Sequence, residues 1–441
     1  MKDIRNKFLI ITGIVLGVLA VVAGIRAVSN RAPRLETARP KPIAVTSRQT
    51  ASDRQVRAAL LEIQRAPANS NGYNLLCAAY LKKARETGDF SFNAKAETAL
   101  KRSFELSASA ENYDAIKLQA TLLLTYHRFG EALEVARRAR DMRPQDPMNY
   151  GAMTDALVEL GDYQAATEAA QTMMDLRPDT SSYARVSYLR ALYGDTEGAI
   201  ESMRAAVESA SSRDPESVAW CRVHLGDELM NAGQRVAAER EFDSALAIFP
   251  DYHLAFAGKA RARLAAGDAD AAIEFYQRAW ERVPLPETAM ALGDLYTKLG
   301  RAEEAKKQYD LVEFIERTGA VAGTYSRQLA LFYADHDVKL DEALAIARRE
   351  RAARADIYTS DTLAWCLYKK GDLAGAKRTI DEALRLGTRD ARLHYHAGMI
   401  EQALGNRRAA AKHLQLALKI NPSFDILQAD VARQTLRAIA A

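Results

Sequence analysis

The chain holds seven histidines, three cysteines and 57 aspartates and glutamates, the side chains that bind metals, attack carbonyls or move protons near neutral pH. Their spacing argues against each of those chemistries. His394 and His396 stand two apart, which puts them on different faces of a helix, whereas a zinc pair needs i, i+4 spacing. Cys77, Cys221 and Cys366 are odd in number and isolated within apolar stretches, so they predict buried packing rather than a disulfide framework. Neither a phosphate-cradling glycine loop nor a Gly-x-Ser-x-Gly elbow occurs, and most carboxylates fall where helix caps or solvated faces are expected. The sequence therefore assigns no catalytic residue, metal or cofactor, and an enzyme is not expected. Function has to come from the shape the backbone elements build.

Those elements repeat. Of twelve prolines, Pro144, Pro178, Pro250, Pro284 and Pro422 lie 34, 72, 34 and 138 residues apart, close to multiples of 34. After Pro147 the stretch NYGAMTDALVEL has helical apolar spacing, Gly161 ends it, and Asp162 caps the next segment. Tyr163 to Leu176 then forms a second amphipathic helix, ended by Pro178. The same punctuation recurs at Gly88-Asp89, Gly194-Asp195, Gly233-Gln234, Gly267-Asp268, Gly300-Arg301, Gly371-Asp372 and Gly405-Asn406. Alanines follow each turn at a fixed offset (Ala132, Ala166, Ala199, Ala238, Ala272, Ala305, Ala343, Ala376, Ala410), and a second set comes seven residues later (Ala139, Ala206, Ala245, Ala279, Ala383, Ala417). Seven residues make about two helical turns, so both alanines share a face where another helix comes close.

This pattern resembles the tetratricopeptide repeat. Leu225-Gly226, Leu292-Gly293 and Ala397-Gly398 match the small pair of its first helix, and Tyr296 its aromatic position. The resemblance covers about residues 72–424, with nine clear copies starting near 113, 147, 180, 219, 253, 286, 324, 357 and 391 and a degenerate one over 72–112. It implies an all-α fold, a right-handed α-solenoid of helix-turn-helix units whose first helices line a concave groove for a peptide or helix of another protein. The superhelix is expected over 51–424, followed by a capping helix at 425–441 that covers the apolar face of the last copy. Longer junctions at Ser211 to Pro215 and Arg317 to Gly323, and a stretched turn at His336 to Leu340, are where it is expected to bend or divide.

The resemblance places groove-facing side chains at the second, fifth, ninth and twelfth positions of a repeat. In the last three copies these are Tyr325, Gln328 and Phe332; Tyr358, Asp361, Trp365 and Tyr368; and Arg392, Tyr395, Met399 and Gln402. Exposed aromatics are costly without a partner, and Trp, Tyr and Arg dominate binding energy, so a partner-binding groove is expected here. The alternative is that Trp365 and Tyr368 pack against the neighbouring copy. A Lys/Asn clamp for chaperone tails would occupy the fifth and ninth positions. Those hold Lys117 with Thr121, Gly151 with Asp155, Val223 with Asp227, Ala257 with Arg261 and Met290 with Asp294, so the clamp is absent. A glycan or small molecule stacked in the same aromatic groove is the second functional expectation. Self-association through the last helix or the long junctions also fits.

The amino-terminal end adds a location. Phe8 to Ile25 is uncharged and bracketed by Lys2, Arg5 and Lys7 before it and by Arg26, Arg31 and Arg34 after it. As a helix it would span roughly 27 Å, close to the ~30 Å hydrocarbon core, which favours an uncleaved anchor over 1–31; a cleaved signal peptide is the alternative. Residues 32–50 read as a flexible linker with Pro33, Pro40 and Pro42. The layout is that of a single-pass protein of a bacterial inner membrane with its body on the periplasmic side, although the flanking charges alone favour a cytoplasmic body. Residues 1–71 carry twelve Lys or Arg against four Asp or Glu, so the remaining 370 sit near −4 while the whole chain is +4. The basic end belongs to the membrane segment, and no nucleic-acid partner is expected.

Overall fold

The computed structural model describes residues 50–108, 111–321 and 327–440. The apolar segment 8–25 lies outside the described residues, and among those described no helix is long and apolar enough to cross a membrane. All regular structure described is helical, in 22 helices.

Helix α1 (Ala51–Arg65) precedes ten antiparallel pairs. The pairs are α2 (Ser70–Thr87) with α3 (Ser91–Leu106), α4 (Tyr113–Thr125) with α5 (Phe129–Met142), α6 (Pro147–Glu159) with α7 (Tyr163–Leu176), α8 (Thr180–Leu192) with α9 (Thr196–Ser209), and α10 (Pro215–Asn231) with α11 (Arg235–Ile248). There follow α12 (His253–Ala265) with α13 (Ala269–Arg282), α14 (Pro286–Lys298) with α15 (Ala302–Val321), α16 (Arg327–Asp335) with α17 (Leu340–Ala353), α18 (Ile357–Lys369) with α19 (Leu373–Ala383), and α20 (Ala391–Ala403) with α21 (Arg407–Ile420). Helix α22 (Gln428–Ala440) packs on α21. Each first helix packs on its own second helix, and each second helix touches the first helix of the unit that follows, which makes an α-solenoid.

The punctuation has a direct backbone cause. All eight turn glycines have φ between 66° and 84°, the left-handed conformation that closes a helix without a Cβ clash. His127 at 56° and Asp337 at 54° take that place in the two units lacking a glycine. The aspartates after Gly161, Gly194, Gly267 and Gly371 accept hydrogen bonds from free amides of the second helix, as from Ala165 N to Asp162 at 3.2 Å.

The small residues make room for large ones. Every alanine of the two recurring sets is buried, at 4% exposure or less. A Cβ on Gly226, Gly293 or Gly398 would stand 2.4, 2.3 and 2.6 Å from the side chains of Phe242, Tyr309 and Leu414. Each first helix thus gives up one side chain so that a bulky residue of its second helix can nest against it. The Phe242 ring also meets Gly258, where a Cβ would lie 2.5 Å away, so it is held between two successive first helices.

The long junctions do not divide the array, because Thr50–Ala441 forms one compact unit. Around them helices are longer, with 17 residues in α10 and 20 in α15 where other repeat helices mostly have 13 or 14, while Ser211 to Asp214 make a turn before α10.

The array also touches itself at long range. The Ala355 amide donates to the Glu159 carbonyl at 3.0 Å, the Ile357 amide to the Tyr163 phenol at 2.8 Å, and the Thr388 hydroxyl to the Leu192 carbonyl. Arg85 pairs with Glu216 at 2.8 Å, Lys82 with Asp214 at 2.8 Å, and Lys298 with Asp430 at 2.8 Å. In most of these contacts the carboxyl end of one first helix meets the amino end of another; the exceptions are the Tyr163 phenol, from the start of the second helix α7, and Asp430, from the last helix α22. The solenoid therefore coils until successive turns rest on one another, and its first helices enclose an interior.

Candidate functional site

Tyr325 lies outside the described residues. Phe332, Asp361, Trp365 and Tyr395 are buried, at 4%, 3%, 1% and 1% exposure, which corrects their assignment to an open groove. The reason is local packing. The Trp365 indole donates to Asp335 at 2.8 Å and stacks on Tyr368 at 4.8 Å and on His396 at 4.2 Å. The Tyr395 hydroxyl donates to Gln428 of the last helix at 2.6 Å, and Asp361 is 2.8 Å from His396 Nδ1. Gln328, Tyr358, Tyr368, Arg392, Met399 and Gln402 are half-buried. Arg392 is tied to Asp425 at 3.2 Å, and the Met399 sulfur accepts from Thr435 at 3.7 Å. The Tyr358 hydroxyl has no partner among the described residues.

The polar groups behind this wall form a structural network. Burial pushes the Asp335 carboxyl up to about 6. Burial also disfavours a charged His336, but its bonds to Asp294 at 2.8 Å and to the Phe332 carbonyl at 2.7 Å outweigh that and raise it. Neither histidine–aspartate pair has a serine or cysteine hydrogen-bonded to its imidazole among the described residues, so neither pair sets up a nucleophile. His394 instead faces His413 at 3.1 Å, away from His396. The three cysteines are buried, with thiols pushed up to about 12, and no cluster of three or more His, Cys, Asp or Glu that could hold a metal occurs among the described residues.

The open interior lies further toward the amino-terminal repeats. A cavity of about 650 Å³ is lined by the first helices α6, α8 and α10, with Arg85 and Arg354 reaching in from the touching turns. Most of its polar groups are occupied. Arg185 grips both oxygens of Asp155, at 2.8 and 2.6 Å, and also reaches the Gly151 and Ser181 carbonyls. Arg354 binds Glu159 at 3.0 Å.

Four cavity residues stand apart. Tyr188 is 43% exposed, and its hydroxyl has no partner among the described residues. Water reaches the ring, but the surrounding repeats displace enough bulk solvent to raise its phenol well above the ordinary value. The Trp220 and His224 rings lie 4.0 Å apart, and burial keeps His224 toward its neutral form. Glu228 has no hydrogen bond or ion pair among the described residues, and burial, helped by the charge of Asp227, pushes it up to about 7.

Sequence reasoning missed this cavity because it weighed only the three most aromatic copies. The available signal was Trp220, His224 and Glu228, recurring every four residues along one face of α10.

The raised Glu228 has a consequence for stability. Its folded-state value of about 7 exceeds the ordinary 4.5, so the native state holds this proton more tightly than the unfolded chain does. Below about pH 4.5 both states are protonated. As pH rises toward and past 7 the unfolded chain ionises first, and stability is lost. Glu228→Gln is expected to leave the denaturation midpoint unchanged near pH 4 and to raise it at pH 8. The gain is at most about 3.5 kcal/mol at ~1.4 kcal/mol per unit, and less because solvent reaches the group. Equal effects in urea titrations at both pH values would mean that the substitution acts through packing alone.

Family models described as tetratricopeptide repeat match residues 229–287 and, for a second model, residues 286–312 and 391–424. The chain carries tetratricopeptide repeats. No curated protein matches it. Among solved structures it is similar to TTC0263, a thermophilic TPR protein of Thermus thermophilus, at 24% identity over 43% of this chain and 98% of that one, TM-score 0.36. It is similar to PilW, a widely conserved type IV pilus biogenesis factor, at 16% identity over 44% and 90%, TM-score 0.39. It is similar to human IFIT1 at 13% identity over 84% and 94%, TM-score 0.45.

Proposed function

We propose that this chain is a membrane-tethered tetratricopeptide scaffold that holds a segment of a partner polypeptide against its inner wall at the bacterial cell envelope. The observation that carries the reading is the interior itself: a cavity of about 650 Å³ bounded by first helices, into which Tyr188 and Glu228 project without partners of their own. Large, half-exposed aromatic rings beside an uncommitted charge are what a binding surface supplies and a packed core does not. Tethering rests on the apolar run Phe8 to Ile25 and its basic flanks, with the body on the periplasmic side.

Site-specific photocrosslinking in intact cells tests the reading. A photoreactive residue in place of Tyr188 is expected to give discrete adducts, whereas one in place of Arg137, exposed on the second helix α5, gives none. Equal adducts at both sites, or none at Tyr188, overturn the inner-wall assignment. Protease treatment of spheroplasts checks sidedness: digestion of the body only after lysis overturns the periplasmic placement.

A further inference from the structure

The charges around the interior cavity do not balance. Three guanidinium groups line it, and each already has a carboxylate: Arg85 with Glu216 at 2.8 Å, Arg185 with Asp155 at 2.6 Å, and Arg354 with Glu159 at 3.0 Å. The lining histidines, His127 and His224, are both held toward neutrality by burial. Lining carboxylates Asp155 and Glu159 are thereby used, and Glu228 is left over. It sits one helical turn from His224 and two from Trp220, on the same face of α10, while Tyr188 enters the cavity from α8. A lone carboxylate in a cavity whose wall also carries aromatic rings is complementary to one organic cation, whose charge pairs with the carboxylate while its flat or methylene faces lie on the rings.

Among biological cations, guanidinium fits these walls best. It is planar, weakly hydrated, stacks on aromatic faces and meets a carboxylate with two parallel N–H donors, whereas an ammonium is a compact and strongly hydrated point charge. The cavity is also larger than one side chain needs, which leaves room for the backbone on either side of it. We propose that the inner wall recognises an arginine of the bound polypeptide, with Glu228 as its counter-charge and Trp220 and Tyr188 as the rings that flank it. This rests on the inner wall being the place where a partner segment is held, and it adds which side chain is read there.

The test is calorimetric titration of the full-length protein in detergent with three probes. These are the capped pentapeptide Gly-Ser-Arg-Ser-Gly, the same peptide with citrulline, which is neutral and nearly isosteric, in place of arginine, and ethylguanidinium. The arginine peptide is expected to bind at least tenfold more tightly than the citrulline peptide, and Glu228→Gln to reduce that ratio to near one while the helical circular dichroism stays intact. The first comparison uses the unaltered protein, so it stands even if the variant misfolds. Equal affinity of the two peptides overturns the arginine assignment, as does discrimination that survives Glu228→Gln. Ethylguanidinium binding as tightly as the arginine peptide overturns the polypeptide source and leaves a free small cation as the occupant. Peptide binding without discrimination, together with Tyr188 crosslinks, removes this assignment alone. Failure of both peptides to bind, with no Tyr188 crosslinks, removes the scaffold reading beneath it.

Discussion

Trp365→Ala is expected to destabilise the protein by about 3–5 kcal/mol, the range for truncating a large buried aromatic, rather than to remove a contact with a partner. The indole is 1% exposed, and its loss empties the space between Tyr368 and His396. It also takes the hydrogen-bond donor from Asp335, whose carboxyl is already pushed up to about 6 by burial. Leaving a buried acceptor unsatisfied adds its own cost of about 1–3 kcal/mol. Tyr358→Ala serves as the contrast, since that ring is half-buried and its hydroxyl has no partner among the described residues. It should cost much less, about 1 kcal/mol. Urea denaturation of both variants is the measurement. A Trp365→Ala protein that unfolds like the parent yet loses its Tyr188 crosslinks would return this residue to the binding surface.

The second large effect is expected where the turns meet. Gly161 and Gly267 do the same local job, at φ 76° and 84°, and alanine at either position carries a left-handed penalty of about 1–2 kcal/mol. Their surroundings differ. A Cβ on Gly267 meets nothing within 4 Å, but on Gly161 it would lie 2.4 Å from the Ala355 carbonyl oxygen. That contact is backbone and cannot rotate away, so Gly161→Ala must lift residue 355 from the carboxyl end of α6. The displaced segment carries the Ala355–Glu159 amide bond and the Arg354–Glu159 pair. Gly161→Ala should therefore cost about 2 kcal/mol more than Gly267→Ala, in the range of core overpacking. It should also expand the protein measurably in small-angle scattering, which Gly267→Ala should not. Equal losses of stability with unchanged dimensions would mean that the inter-turn contact contributes nothing.

These two cases mark what the amino-acid sequence discloses. Turn glycines, capping aspartates and recurrent alanines act within one helix pair, so their spacing alone exposes the repeat. Positions such as Trp365 belong to a different level. Whether the ninth residue of a first helix faces a groove or a neighbour depends on how α16, α18, α20 and the last helix cross, and no single repeat encodes that. The seam is harder still to read. Its central bond joins two main-chain groups, Ala355 N–H and Glu159 C=O, whose side chains are irrelevant to it. Gly161 looks the same as Gly267 in the sequence, and only the coiling gives it a second task. The cavity residues fall between these extremes: the four-residue recurrence of Trp220, His224 and Glu228 is visible, but its orientation toward an interior follows from the superhelix.

An array in which every unit touches only its neighbours melts like a zipper, losing end units first and losing them independently. Bonds between residues 128 to 196 positions apart forbid that simplicity. Fraying of the last repeats strips the support from the middle of the chain, so nucleation cannot begin anywhere and spread freely. The molecule must find its distant partners before it is stable, as a globular domain does, and loop closure rather than helix formation sets its pace of assembly.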